Sequence, residues 1–295
     1  MGAESRWSKW RQSEGANGLL MVSPTAIYAI LMLAAPLGTI FLYSFLTDGY
    51  LEIIRQFTVA NYVEAWTNEL YRSVMIRSLG VAMTVTFVTV ILAFPVAYFV
   101  SFHVEASKKS LWLFLITIPF WTSYLIRVFL WKVILGYNGV VNSGLIGLGI
   151  IDQPLDFILY NVNSVVITLA HAYAPFAILP IFVALEKIDR SLLEAGQDLG
   201  ETKFRTFLRV TLPLAMPGVI ASVLIVFIPT IGDYVTPQLV GGPEGRMVAN
   251  LIQLQYLKLD NYPLGSAIAV SAMAIVTLVS LAFIGLNRRY LKGPK

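Results

Sequence analysis

The 295-residue chain contains no cysteine. Disulfides, thiolate-held metals and iron–sulfur clusters are therefore excluded. Histidine is scarce: His103 and His171 are the two in the chain, too few for a histidine-rich metal site. Charged residues make up 13% of the chain, against about 25% in a soluble domain. No G-x-x-x-x-G-K-[ST] run occurs, so the chain has no P-loop for ATP phosphates. Residues 241–246, GGPEGR, lack that motif's spacing and its lysine. H-E-x-x-H and G-x-S-x-G are missing too, and the carboxylates are spread over loops. The chain reads as a non-enzyme that needs no cofactor or metal of its own. Its net charge of +4 is small, and topology explains it without a nucleic-acid partner.

Apolar residues take the place of charge, at 57% of the chain with a mean hydropathy of +0.72. Lipid imposes this composition, because a charge at the bilayer centre is costly unless paired or hydrated. A hydrocarbon core about 30 Å thick needs about 20 apolar residues as a helix. Six blocks qualify: 19–46, 79–102, 111–135, 164–185, 214–234 and 266–286. In lipid the backbone must satisfy its own hydrogen bonds, and blocks of this length do so as helices. The expected fold is an all-α integral membrane protein with six transmembrane helices. Residues 19–287 form one domain, between a segment 1–18 and a tail 288–295. The first block is too long for a signal peptide, and no small-x-small cleavage site follows it, so it reads as an uncleaved span.

Basic residues set the orientation. One side receives Arg6, Lys9, Arg11, Lys108, Lys109, Lys187, Arg190, Lys203, Arg205, Arg209 and the basic tail from Arg288, fourteen Lys and Arg altogether. The other side has Arg55, Arg72, Arg77, Arg246 and Lys258. The positive-inside rule then places both termini in the cytoplasm. Two outer segments follow. Residues 136–163 are Gly-rich and read as carrying a short interfacial helix near Val140–Ile150. Residues 235–265 hold a GGPEG turn and then an amphipathic helix. Arg127 and Lys132 fall in the third block, near enough to its outer end to snorkel.

Residues 192–218, LLEAGQDLGETKFRTFLRVTLPLAMPG, break the apolar pattern on the cytoplasmic side. Ser191 with Glu194 matches a capping box. Leu192, Ala195, Gly196 and Leu199 recur at helical spacing. Gly196 leaves one helix face bare for a close approach, and Gly200 suits a left-handed stop. Phe204, Phe207 and Leu208 then make a second apolar stripe, and Pro213 and Pro217 open the fifth span. A short helix, a glycine break and a second helix with a charged rim describe a docking knob. The bland alternative is an amphipathic loop lying on headgroups.

The order Glu194-Ala195-Gly196, three residues, Gly200, nine residues, Val210-x-Leu212-Pro213 resembles the EAA loop of ABC importer permeases. Gly196 stands for the second alanine and Val210 for isoleucine. The resemblance implies a type I importer permease of six helices in the bacterial inner membrane. It implies a coupling loop over 187–213, with Glu194, Ala195, Gly196, Asp198 and Gly200 meeting a separate ATP-binding cassette ATPase that holds the ATP. It also implies a second permease subunit and a periplasmic or extracellular substrate-binding protein.

Three further stretches resemble spermidine/putrescine permeases: Pro119 to Arg127 (PFWTSYLIR), Leu185 to Asp189 (LEKID), and Ile231 to Pro243 (IGDYVTPQLVGGP). Related permeases serve opines, phosphonates, ferric iron and thiamine. A polycation's route should offer carboxylates and aromatic faces. Asp233 beside Tyr234 is the acidic candidate, with Trp121, Tyr124 and Tyr173 as aromatic ones. Asp233 equally suits a pair with Arg127 or Lys132, and the aromatics equally suit packing. His171 reads as a core histidine. An intramembrane lipid-modifying enzyme would need buried catalytic groups, and the spans offer only Arg127, Lys132 and His171.

Overall fold

The computed structural model describes residues 14–49 and 52–291. The expectations placed on Arg6, Lys9, Arg11, Lys292 and Lys295 lie outside them. Among the described residues, six helical stretches are long and apolar enough to cross a membrane: Leu20–Tyr43, Glu69–Phe102, Tyr124–Gly147, Val162–Glu186, Lys203–Ile231 and Tyr262–Leu291.

Helix α1 (Glu14–Tyr43) leads into a small antiparallel hairpin of β1 (Leu46–Asp48) and β2 (Ile53–Phe57). Helix α2 (Ala60–Thr67) follows. Neither the hairpin nor α2 was expected. Buried Asn61 ties them to the first span, donating to the carbonyls of Ser44 at 3.0 Å and Leu46 at 2.8 Å. Helix α3 begins at Glu69 and runs to Phe102, well before the expected start at 79. Its first turns carry Arg72 and Arg77, so hydropathy does not register them. Arg77 Nη1 reaches the carbonyl of Glu244, at 2.7 Å.

The expected third span, 111–135, is broken. Helix α4 (Ala106–Thr117) ends in a 3-10 turn at Ile118–Trp121, and α5 (Tyr124–Leu135) starts afresh. Pro119 sits in the 3-10 turn, where its missing N–H and fixed φ interrupt the α-helical ladder. Helix α6 (Val140–Gly147) follows, then α7 (Val162–Glu186). The charged segment after α7 holds α8 (Arg190–Asp198) and α9 (Lys203–Thr206). A π-turn at Phe207–Thr211 joins α9 to α10 (Leu212–Ile231). The expected separate second helix of the loop is therefore continuous with the fifth span. Helices α11 (Val235–Val240), α12 (Val248–Leu257) and α13 (Tyr262–Leu291) complete the chain.

The core lies where α3, α7 and α10 pack together. Small side chains line it: Ala93, Ala97, Ala177 and Ala215 are all buried. Apolar burial drives little between helices in lipid, so close backbone approach and hydrogen bonds matter more. Gly218 marks the tightest approach. A Cβ added there would come within 2.6 Å of Ala184 Cβ and 3.1 Å of Ile181 Cα. One turn on, buried Ser222 donates from Oγ to the carbonyl of Ala177, at 2.9 Å, stitching α10 to α7. A second cluster, with Met75, Phe227, Val248, Leu264 and Ile268, joins α3 and α10 to α12 and α13. Phe87, Leu92, Leu278 and Leu281 face outward, as lipid-facing side chains do.

Candidate functional site

The residues singled out for function fall into two groups, one on the charged loop between α7 and α10 and one just past the C-terminal end of α10. In the loop, α8 starts earlier than the capping box implied. The N-cap is Asp189, whose carboxylate accepts from the Ser191 N–H at 3.0 Å. Ser191 is helical, so the Ser191–Glu194 box does not form. Both residue types cap well, and the earlier one won. The Ser191 N–H holds the Asp189 carboxyl below its ordinary pKa. Asp189 thus steadies α8 at neutral pH, and that contribution fades as pH falls through the lowered pKa. Asp189→Ala is expected to fray the first turn of α8 alone. Faster hydrogen exchange at the amides following Asp189, with the spans unchanged, would show it.

The helix stops on a left-handed glycine, as its sequence predicts. Gly200 has φ +84°, its N–H bonds the Gln197 carbonyl at 2.9 Å, and the Glu201 N–H bonds Gly196 at 3.1 Å. This paired closure is the Schellman motif. Glu194, Ala195, Asp198 and Gly200 are exposed. Leu192, Leu199 and Phe204 are exposed as well, with Leu199 at 86%. Gly196 plays a different part from the one expected. Its bare face is covered by the chain's own Thr206, whose Cγ2 would lie 3.2 Å from an added Cβ. The glycine locks α8 onto α9.

Sequence reasoning missed the fastening of this joint to the bundle. Glu186 Oε1 accepts from Ser101 Oγ and from Lys109 Nζ, both at 2.6 Å. Arg190 Nη2 donates to the Ser101 carbonyl at 2.8 Å, and its guanidinium lies 5.2 Å from the Phe102 ring centre. The ends of α3 and α7 and the starts of α4 and α8 therefore meet in one polar knot. Phe207, in the π-turn, packs edge-on against Phe94 and Tyr98 of α3, at 5.6 and 5.9 Å. Glu201 pairs with Arg209 across the turn. Glu186 stood within the quoted LEKID stretch; its partners lie 77 and 85 residues away and left no local signal.

Just past the C-terminal end of α10, Asp233 is buried at 7% exposure. Its Oδ2 accepts from the Tyr124 hydroxyl at 2.6 Å, and that hydroxyl also bonds Thr236 Oγ1 at 2.7 Å. Its Oδ1 accepts from the N–H groups of Val235, at 3.0 Å, and Thr236, at 3.4 Å. The pair with Arg127 or Lys132 is not formed. The ion pairs among the described residues are Lys108–Glu105, Lys109–Glu186 and Arg209–Glu201. Tyr173 is half-buried beside the core. Tyr234 is exposed, and its carbonyl accepts from Asn250. Trp121 stands apart, 76% exposed and edge-on to Phe114 at 5.5 Å. His171 is no core histidine: it is exposed and accepts at Nδ1 from Trp131 Nε1, 3.1 Å away.

Six membrane-length helices among the described residues, with a short helical joint clamped to one end of the bundle, fit the permease class of transport protein. The chain belongs to the family described as binding-protein-dependent transport system inner membrane component, whose profile matches residues 57–292. It is a multi-pass inner-membrane component of ABC import systems, and its relatives are transport proteins rather than enzymes. The spermidine/putrescine transport system permease protein PotB of Escherichia coli (strain K12) is 35% identical over 241 residues, 81% of this chain and 86% of that protein. PotB of Haemophilus influenzae is 37% identical over 83% of this chain and 85% of its own length. The inner membrane ABC transporter permease protein YdcU of Escherichia coli (strain K12) is 30% identical over 90% of this chain and 88% of its own. Among solved structures, a bacterial ABC transporter for alginate import matches with a TM-score of 0.70 at 17% identity, covering 97% of this chain and 99% of that one.

Proposed function

We propose that the chain imports polyamines, with spermidine and putrescine as substrates. It would form half of a translocation pathway with a different permease as the other half, and both its termini would face the cytoplasm. The observation that carries the substrate is the identity of about one residue in three with spermidine/putrescine permeases over four-fifths of the chain. The excess of Lys and Arg on one side supports the orientation.

The loop supports the coupling role. Leu192, Leu199 and Phe204 expose apolar surface around a charged rim, which suits a groove in a separate ATPase subunit. Asp198 ends α8, where the helix dipole is already negative, so a cation from the partner would relieve it. ATP-driven closure of the ATPase pair would displace α8 through such contacts. The knot at Glu186 and the Phe207 contact would pass the movement to α3 and α7. The bundle then alternates between inward- and outward-open states, biased by the partner's differential binding. A substrate-binding protein would deliver the solute on the other side.

The test is uptake of labelled spermidine and putrescine by cells carrying the whole transport system. Wild type is expected to take up both saturably, and Glu194→Ala combined with Gly200→Val to lose that uptake. An intact complex whose ATPase answers to the loaded binding protein, yet which takes up no polyamine, would keep the importer and discard this substrate.

A further inference from the structure

Arg127 holds a guanidinium in an uncompensated setting. Its Cζ lies 4.7 Å from the ring centre of Phe120 and 5.8 Å from that of Tyr124. Its Nε and Nη1 are buried and, among the described residues, meet no acceptor. It joins none of the ion pairs. The hydroxyl of that same Tyr124 bonds Asp233, a buried carboxylate that has no ion pair among the described residues either. One phenol ring thus stands between an unpaired cation and an unpaired anion.

A buried guanidinium is costly without an anion. Two ring faces offset part of that cost. A cation held by rings alone can be exchanged for another cation. We propose that Phe120, Tyr124 and Asp233 form a binding site for an alkylammonium group of the substrate, and that Arg127 is the resident cation which the ammonium displaces. The proposal rests on the reading of the chain as an amine importer. Phe176 packs edge-on to Phe120 at 4.5 Å and offers an apolar wall for the methylenes. Exchange keeps the charge of the site constant. When substrate leaves, Arg127 returns to the ring faces, and Asp233 stays held by the Tyr124 hydroxyl and the N–H groups of Val235 and Thr236.

The chain's lack of cysteine makes the site directly readable. Phe176→Cys would put a single thiol beside Phe120 in the complete complex. Its modification by N-ethylmaleimide, read as the mass of this chain, reports occupancy. Spermidine and n-propylammonium serve as protecting probes. With Arg127→Gln added, the half-protecting concentration of both is expected to fall about tenfold, as loss of a competitor worth one cation–π contact predicts. Asp233→Asn is expected to raise it by a similar factor, and Arg127→Lys to leave it near the starting value. An unchanged value in Arg127→Gln overturns the proposal. Should that variant fail to assemble, Phe120→Leu decides: it must weaken protection, and no change overturns the site. A shift seen with n-propylammonium but no protection by spermidine keeps the site and ends the polyamine reading. Spermidine uptake by wild type with no shift in Arg127→Gln keeps that reading and ends the site.

Discussion

Gly200→Val is expected to disconnect ATP hydrolysis from transport while the complex assembles and inserts normally. The left-handed backbone at φ +84° admits glycine freely. For other residues it costs roughly 1–2 kcal/mol, and most for β-branched ones. The strain is purely conformational, since a Cβ at Gly200 meets nothing within 4 Å. Valine would therefore turn the chain elsewhere and open the two bonds that close α8, from Gly200 and Glu201. The joint would lose its angle, not its residues. Transport in reconstituted vesicles should fall by about tenfold or more, the factor that corresponds to about 1.4 kcal/mol. The basal ATPase should remain. Gly200→Asn, which tolerates the left-handed region, should restore much of the activity. Equal transport by Gly200→Val and wild type would remove the turn from the coupling mechanism.

Gly218→Val is expected to be the most damaging single change in the bundle. Its added carbons would press on Ala184 Cβ and Ile181 Cα, at 2.6 and 3.1 Å from the first of them. Backbone and a methyl anchored to it cannot rotate away. Overpacking of this kind costs about 1–3 kcal/mol in a core, and here it forces α7 and α10 apart. The Ser222 bond to Ala177 would lengthen with them. Thermal unfolding of the purified complex should shift down strongly, and yield should drop. Gly80→Val is the control: Gly80 lies on α3 with nothing within 4 Å of an added Cβ. If both variants melt alike, the close approach at Gly218 is not what holds these helices.

Six spans were legible because lipid demands apolar length, and that demand shows in composition alone. Helix ends were not. The start of α3 carries Glu69, Arg72 and Arg77, which suit water and escape a hydropathy reading. Pro119 lies inside the expected third span, and nothing local in the sequence distinguishes a kink from the full interruption that separates α4 from α5. The glycine stop at Gly200 was readable from spacing, because few residues adopt its backbone. The N-cap was misplaced because Asp189 and Ser191 both cap well. The contact of Gly196 with Thr206 depends on how two short helices fold back, which no periodicity encodes. Asp233 was singled out as an acid near an aromatic, but its bond to Tyr124 spans 109 residues. Arg127 was expected to snorkel or pair; its seat on Phe120 follows from the break at Pro119, which sets the two residues on either side of a turn.

Helix α1 packs against α13, at the opposite end of the chain. That pairing bears on how the protein is made. About 220 residues separate Tyr43 from Tyr262, which at 5–20 residues per second is roughly 10–45 s of synthesis. For that interval the first-inserted helix waits in the bilayer without its mate. A ribosome stalled before Tyr262 would leave α1 without that contact. The contact that closes α1 into the bundle thus forms only after Tyr262–Leu291 has been made.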